Sequence, residues 1–387
     1  MAREMQGEAL SSLPILDLSY ADDPSRRLIL LQELHNALFN VGFLYIKNHG
    51  VPLETITNLV SRLPALFNQG NDFKASLSKL NSPHFLGYSG FAEETTLGKK
   101  DLREQFDLAT ELPVVWQDPK NHKATGGVGD RDFTKLYWRL RGPNQWPCED
   151  QIPGFKNAYL KYHDALQALS YRFVHLVEEA FGIPIGTFDN FFLPHSTGAQ
   201  AKTREYMPPQ HRIKLVKYPP STENYQGQGV GAHKDSSGWL TFLYQVGREE
   251  GLEVVSTIGE WILAPPIEGT FVVNFGNAFE AATDGAVKAT VHRVKAPLST
   301  SNPRYSIPFF QGLPLDLTIS EIRRYIPESV RKLRRESGAL ENHDSVSTFL
   351  DSRWDSLGES QLRKWIRSHE EVGRKWYGDE VASYYLR

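Results

Sequence analysis

The chain has 387 residues, 40% of them hydrophobic and 12% aromatic, which is ample for a sizeable core and a little long for one compact unit. Its 43 basic and 46 acidic residues leave a net charge of −3, without the concentrated basic stripe that a nucleic-acid partner favours. The one cysteine, Cys148, excludes an internal disulfide; no apolar run reaches membrane-spanning length and none of signal-peptide length opens the chain, so a cytoplasmic protein without a membrane partner is expected.

From the N-terminus, Leu13-Pro-Ile-Leu-Asp-Leu-Ser reads as a short strand. Residues 24–41 read as a helix opened by Pro24, with Leu28, Leu31, Leu34 and Leu38 as its apolar stripe. Gly42-Phe-Leu-Tyr-Ile-Lys reads as a second strand, stopped by the turn residues Asn48-His-Gly-Val-Pro52, and 53–68 as helix. Residues 82–150, with Gly87, Gly90, Gly98 and Gly126-Gly-Val-Gly129, read as long loops carrying short elements, of the kind that border sites. Residues 153–182 give the clearest helix: Phe155, Tyr159, Tyr162, Leu166, Leu169 and Phe173 step by three or four, and Gly182 suits its end. From 211 to 314, strand-like runs alternate with breaks: Ile213–Tyr218, Trp239–Gln245, Leu252–Val255, Phe271–Phe275, Thr290–Val294 and Arg304–Phe310. Many short strands of this kind predict a sandwich or barrel. Residues 316–387 are helical and charged again; 331–335 read as a solvated helix face, and Leu362–His369 as an amphipathic helix covering the barrel or a second subunit, with His369 as polar surface. The expected organisation is one structural unit in three stretches: 10–205, 206–315 and 316–387.

Within Gly231-Ala-His233-Lys-Asp235, residues two apart on an extended backbone project to one face, so an imidazole and a carboxylate can meet at one point. His292, in Ala289-Thr-Val-His-Arg-Val, can supply a third ligand if the sheet folds back. Two histidines and one carboxylate on one side of a metal leave positions open, the arrangement of non-haem Fe(II) oxygenases, with a catalytic zinc site as the competing metal reading. The tie is broken by Arg304-Tyr-Ser306: a guanidinium and a hydroxyl pointing the same way fit the far carboxylate of an organic acid such as 2-oxoglutarate. Tyr218, ending its strand before Pro219-Pro220, is either a neighbour of that cosubstrate or a core tyrosine.

These stretches, in this order, resemble the isopenicillin N synthase-like 2-oxoglutarate- and Fe(II)-dependent dioxygenases. The resemblance rests on Pro14-Ile-Leu-Asp-Leu, Gly42-Phe-Leu-Tyr-Ile-Lys-Asn-His-Gly-Val-Pro, Tyr218-Pro-Pro, Gly231-Ala-His-Lys-Asp, Val272-Val-Asn-Phe-Gly, Ala289-Thr-Val-His-Arg-Val and Arg304-Tyr-Ser-Ile-Pro-Phe-Phe. It implies a mixed α and β protein with a double-stranded β-helix, or jelly-roll, core and flanking N- and C-terminal helices. It implies Fe(II) held by His233, Asp235 and His292, with 2-oxoglutarate clamped by Arg304 and Ser306 beside Tyr218, and O2 as co-reactant. Where many plant members carry Asn two residues before that tyrosine, this chain has Val216. The implied reaction oxidises a small organic molecule, most often by hydroxylation, and releases succinate and CO2.

A finer likeness joins Phe85-Leu-Gly-Tyr-Ser-Gly-Phe-Ala-Glu-Glu-Thr-Thr-Leu-Gly-Lys-Lys-Asp to the microbial ethylene-forming enzymes, in which a glutamate and a threonine two residues on contact co-bound arginine; Glu94 and Thr96 occupy those positions. That subgroup's bacterial members carry Tyr after His-x-Asp, where this chain has Ser236. An oxidase that dispenses with 2-oxoglutarate and a non-catalytic binding protein of the same fold are the other readings. Of Phe309 and Phe310, one is expected to face the cavity and substrate and the other the core; core packing of both is the alternative, and Trp239 and Phe242 carry the same ambiguity. Substrate identity and oligomeric state are not legible.

Overall fold

The computed structural model describes residues 12–96, 98–120, 131–194, 206–221, 227–235, 238–256, 258–298, 302–336 and 355–387. Gly126–Gly129 and Ser236, singled out above, lie outside them. Fourteen strands occur among the described residues: β1 (Ile15–Asp17), β2 (Phe43–Lys47), β3 (Gly87–Ser89), β4 (Thr95–Thr96), β5 (Lys99–Lys100), β6 (Glu104–Ala109), β7 (Arg212–Tyr218), β8 (Gln228–His233), β9 (Leu240–Val246), β10 (Leu252–Val255), β11 (Trp261–Leu263), β12 (Thr270–Phe275), β13 (His292–Lys295) and β14 (Arg304–Phe310). One sheet runs β1-β2-β12-β9-β14-β7-β6-β3 and a second β11-β10-β13-β8; apart from the parallel β1–β2 pair, the pairings are antiparallel. Apolar side chains between the sheets, among them Phe43, Tyr45, Val230, Leu252, Val254 and Val272, form one core. This is the jelly roll the resemblance implied.

The major sheet buries its other face against the helix Phe155–Ala180. Tyr159, Tyr162, Leu166, Leu169 and Phe173 all lie in that second core with Ile213, Leu215, Phe242, Ile307 and Phe309, and Phe173 meets Phe242 edge-on at 5.6 Å. Burying each such side chain contributes roughly 2 kcal/mol. Strand β14 divides its side chains between the two faces: Tyr305, Ile307 and Phe309 pack toward the helix, whereas Arg304, Ser306, Pro308 and Phe310 line the interior. Trp239 and Phe242 belong to the helix-side core. A third core joins the C-terminal helices, through Leu362, Trp365 and Ile366, to Phe85 and Trp138.

The structure corrects several expectations. The first helix spans Arg27–Asn36 and passes into a π turn, Ala37–Val41, that ends at Gly42. A Cβ on Gly42 would stand 2.3 Å from Thr290 Oγ1, so the turn needs glycine there. Leu28 is 76% exposed; the stripe that packs is Leu30, Leu34 and Leu38, with Leu31 partly buried. Of the short elements expected within 82–150, β6 goes further than a loop-borne piece: it is buried along its whole length inside the major sheet. The glycine-rich stretch Gly227-Gln-Gly-Val-Gly is mostly strand β8. In the basic run, Arg331 pairs with Asp284 at 3.0 Å and Lys332 with Glu328 at 2.8 Å. Among the described residues, no helix is long and apolar enough to cross a membrane.

Candidate metal and cosubstrate site

Strands β8 and β13 pair so that His233 and His292 stand opposite one another, with ring centroids 4.3 Å apart. Asp235 lies just past the end of β8, not within a strand as the two-residue spacing suggested, and still turns its carboxylate to the same point. One donor atom from each of the three lies within 4.8 Å of the other two.

The surroundings fix which atoms are free. His233 Nδ1 is 2.8 Å from the Gly231 carbonyl and His292 Nδ1 is 3.1 Å from that of Thr290, so both rings donate through Nδ1–H and keep Nε2 for a metal. Asp235 Oδ2 accepts from Thr241 Oγ1 at 2.7 Å and Asn274 Nδ2 at 2.6 Å; Oδ1 faces the two Nε2 atoms at 3.8 and 3.9 Å. Burial, then the neighbouring His292, pushes the His233 imidazole down to about 3. Burial alone would raise Asp235, but His292, His233, Thr241 and Asn274 outweigh it and hold the carboxyl below its usual range. A neutral imidazole beside an ionised carboxylate is the protonation state a divalent cation requires.

The triad borders a cavity of about 420 Å³. Arg304 enters it from β14 and is 1% exposed. Its Nη2 donates to Gln245 Oε1 at 2.8 Å, while Nε and Nη1 are buried with no hydrogen-bond partner. A buried guanidinium with two unpaired nitrogens is costly, and an anion in this pocket would offset that cost. Ser306 and Tyr218 line the same wall, and the Tyr218 ring lies 5.0 Å from the Arg304 guanidinium carbon. Val216 also lines the cavity and packs between the sheets. Two histidines and one carboxylate with a free side, next to an unmatched cation, fit Fe(II) together with a chelating 2-oxo diacid.

Glu94, Thr96 and Phe310 reach the cavity, while Phe309 is buried in the core. Glu94 is heavily engaged: Oε2 accepts from Arg103 at 2.6 Å, and Oε1 from Gln105 at 2.5 Å, with His369 Nε2 also at 2.5 Å. Thr96 donates to Asp101 Oδ2 at 2.8 Å. His369 is therefore not polar surface; its side chain is 7% exposed and closes the cavity against Glu94. Arg103, Lys214, Lys364 and Arg367 also line the chamber and had no motif to mark them. Thr241 and Asn274 did have a signal, being polar residues set among apolar neighbours, Leu240 and Phe242 in β9 and Val273 and Phe275 in β12.

Residues 13–149 match the family described as non-haem dioxygenase in morphine synthesis N-terminal, and residues 209–312 match the 2OG-Fe(II) oxygenase superfamily. The chain belongs to the 2-oxoglutarate- and Fe(II)-dependent oxygenases. It is 38% identical to the 2-oxoglutarate-dependent dioxygenase frbJ of Dothideomycetidae sp. (strain 11243), over 95% of this chain and 92% of the relative. It is 29% identical to a 2-oxoglutarate-dependent dioxygenase of Gibberella zeae, with the same coverages. Among solved structures, a full-length Neurospora crassa protein in complex with alpha-KG superposes with a TM-score of 0.62 at 21% identity, covering 94% of this chain and 96% of that one. The oxygenase is thus an oxidoreductase whose cofactor is Fe(II) and whose co-reactants are 2-oxoglutarate and O2.

Proposed function

We propose that His233, Asp235 and His292 hold the iron of this oxygenase, that Arg304 and Ser306 grip the far carboxylate of 2-oxoglutarate beside Tyr218, and that the enzyme hydroxylates a small organic molecule. The observation that carries the reading is Arg304, a buried cation with two nitrogen atoms unmatched inside the cavity that the triad borders. Bound in this site, Fe(II) and 2-oxoglutarate supply the oxidising chemistry with O2, yielding succinate and CO2 as the substrate is oxidised.

The chain's own part is placement. Gly231 and Thr290 carbonyls orient the two imidazoles. Thr241 and Asn274 hold one oxygen of Asp235 so that the other stays available. Val216, Val230, Leu252 and Val294 make the inner wall apolar, which limits water at the reacting end. The C-terminal helix Leu357–Ser368 roofs the chamber with Lys364, Trp365 and Arg367. In this reading, residues 10–205, 206–315 and 316–387 act as one unit, because each stretch lends side chains to one cavity.

Ethylene formation with co-bound arginine is a second reading: Glu94 and Thr96 both stand in the cavity wall, but Arg103, Gln105 and His369 already occupy the Glu94 oxygens. Anaerobic addition of Fe(II) and 2-oxoglutarate tests the main proposal. A weak visible charge-transfer band that is absent in His233→Ala is expected; no band in the native chain sinks the ligand assignment. Oxygen uptake that ignores 2-oxoglutarate would sink the cosubstrate assignment, and arginine-dependent headspace ethylene would favour the second reading.

A further inference from the structure

Six lysines and arginines line the chamber, Arg103, Lys214, Lys234, Arg304, Lys364 and Arg367, against three carboxylates, Glu94, Asp101 and Asp235. Loading the site with a divalent iron and the dianion of 2-oxoglutarate leaves that positive surplus unchanged. Four of the six cations have an assigned counterpart. Arg103 meets Glu94 at 2.6 Å, Lys214 meets Asp107 at 2.9 Å and Lys234 meets Glu280 at 2.9 Å. Arg304 faces the cosubstrate pocket.

Lys364 and Arg367 remain. Neither makes an ion pair or hydrogen bond among the described residues, and both belong to the roofing helix Leu357–Ser368; Asp235 and Glu94 attract Lys364 only from beyond contact distance, and Arg367 is exposed at the rim. Three positions apart, they share one helix face, where like charges repel and an anion held between them would relieve that repulsion. The Lys364 ammonium lies 5.1 Å from the Trp365 ring and 5.9 Å from that of Phe310, so an apolar surface lies beside it. Lys364 and Asp235 also both border a small side pocket of about 40 Å³, which brings this cation near the proposed iron ligands.

We propose that Lys364, seconded by Arg367, binds an oxyanion group of the substrate, so that the molecule oxidised here is an organic acid, most simply a carboxylate whose hydrocarbon part rests on Trp365 and Phe310. This deepens the oxygenase reading and rests on it. Glu94 supports the same polarity: with Arg103, Gln105 and His369 already on its oxygens, it is poorly placed to receive a cationic substrate as well. Binding through the roof also couples occupancy to closure, because the helix that recognises the acid is the one that covers the chamber.

The test is calorimetric titration of the full chain loaded with Mn(II) and N-oxalylglycine, which needs no turnover. Matched probes are 3-phenylpropionate, its amide, 3-phenylpropylamine and 3-phenylpropylphosphonate, with L-arginine against agmatine as a second pair. At least one acid is expected to bind tenfold or more tightly than its uncharged or decarboxylated partner. That preference should vanish in Lys364→Met and return in Lys364→Arg, a ratio that a general loss of packing would not move. A phosphonate that outbinds the carboxylate supports the oxyanion class and the larger charge. The inference is overturned if no acid outbinds its partner, if the amine or agmatine binds best, or if Lys364→Met keeps the preference. Failure of the native chain to take up Mn(II) and N-oxalylglycine would instead overturn the oxygenase site itself, and this inference with it.

Discussion

Asn274 Nδ2 donates to Asp235 Oδ2 at 2.6 Å, which ties the one acidic residue of the triad to the middle of the major sheet. The residue past the end of β8 is thereby anchored to a strand of the other sheet. Replacing Asn274 with Ala should weaken metal binding about 10- to 100-fold, the usual cost of removing an outer partner, with secondary structure intact. Thr241→Val should act in the same direction, and titration with Mn(II) measures both.

The triad itself should behave as a unit. Ala at His233, Asp235 or His292 is expected to lower metal affinity further than Asn274→Ala does, by more than about 100-fold, because a donor is lost rather than misaimed. Metal analysis after reconstitution and desalting checks this, and a variant that retains a full equivalent would contradict the assignment.

Arg304 makes a prediction about stability in two directions. With metal present and 2-oxoglutarate at about 100 times its dissociation constant, the native chain should gain about 2.7 kcal/mol. Arg304→Met should lose that response and, without cosubstrate, unfold at a higher temperature than the native chain, because the unmatched buried guanidinium is gone. A thermal melt with and without 2-oxoglutarate reads both effects. A variant that still responds fully would remove the arginine from the cosubstrate pocket.

His369 links the roof to acid stability. Burial, then the Lys79 ammonium, depresses its imidazole to about 4. The unfolded chain takes up this proton near pH 6.5 and the folded chain only near pH 4, so the folded state loses stability as pH falls through that window and none above it. The full effect is about 3 kcal/mol. His369→Gln should flatten the fall in denaturant midpoint between pH 6.5 and 4 relative to the native chain; parallel curves would contradict it.

Much of this architecture was legible because its signals are local. The apolar steps of Phe155–Ala180 and the alternation in β14 follow from helix and strand periodicity, and the His-x-Asp, histidine and Arg-x-Ser residues are few and chemically distinctive. Other features depend on partners far along the chain. Strand β6 is buried on both faces and contains Glu104, Gln105 and Asp107, which look like loop residues until Lys74, Lys79 and Lys214 arrive to neutralise the two acids and Glu94 accepts from the amide. His369 looked like surface because the carboxylate that meets it, Glu94, belongs to the N-terminal half. Leu28 misled for the opposite reason: it fits the helical step, but the helix is rotated so that Leu30 takes the inner position.

The two-sided use of β14 has a consequence for how such a chain can vary. A single-residue insertion or deletion between Arg304 and Phe310 would exchange its faces, turning the guanidinium toward Phe173 and Phe242 and an aromatic ring toward the cavity that the triad borders. Activity and folding would fail together. Length changes should therefore be tolerated in the connections that flank this strand and purged within it, whereas the roof can diverge in composition and retune what the chamber accepts.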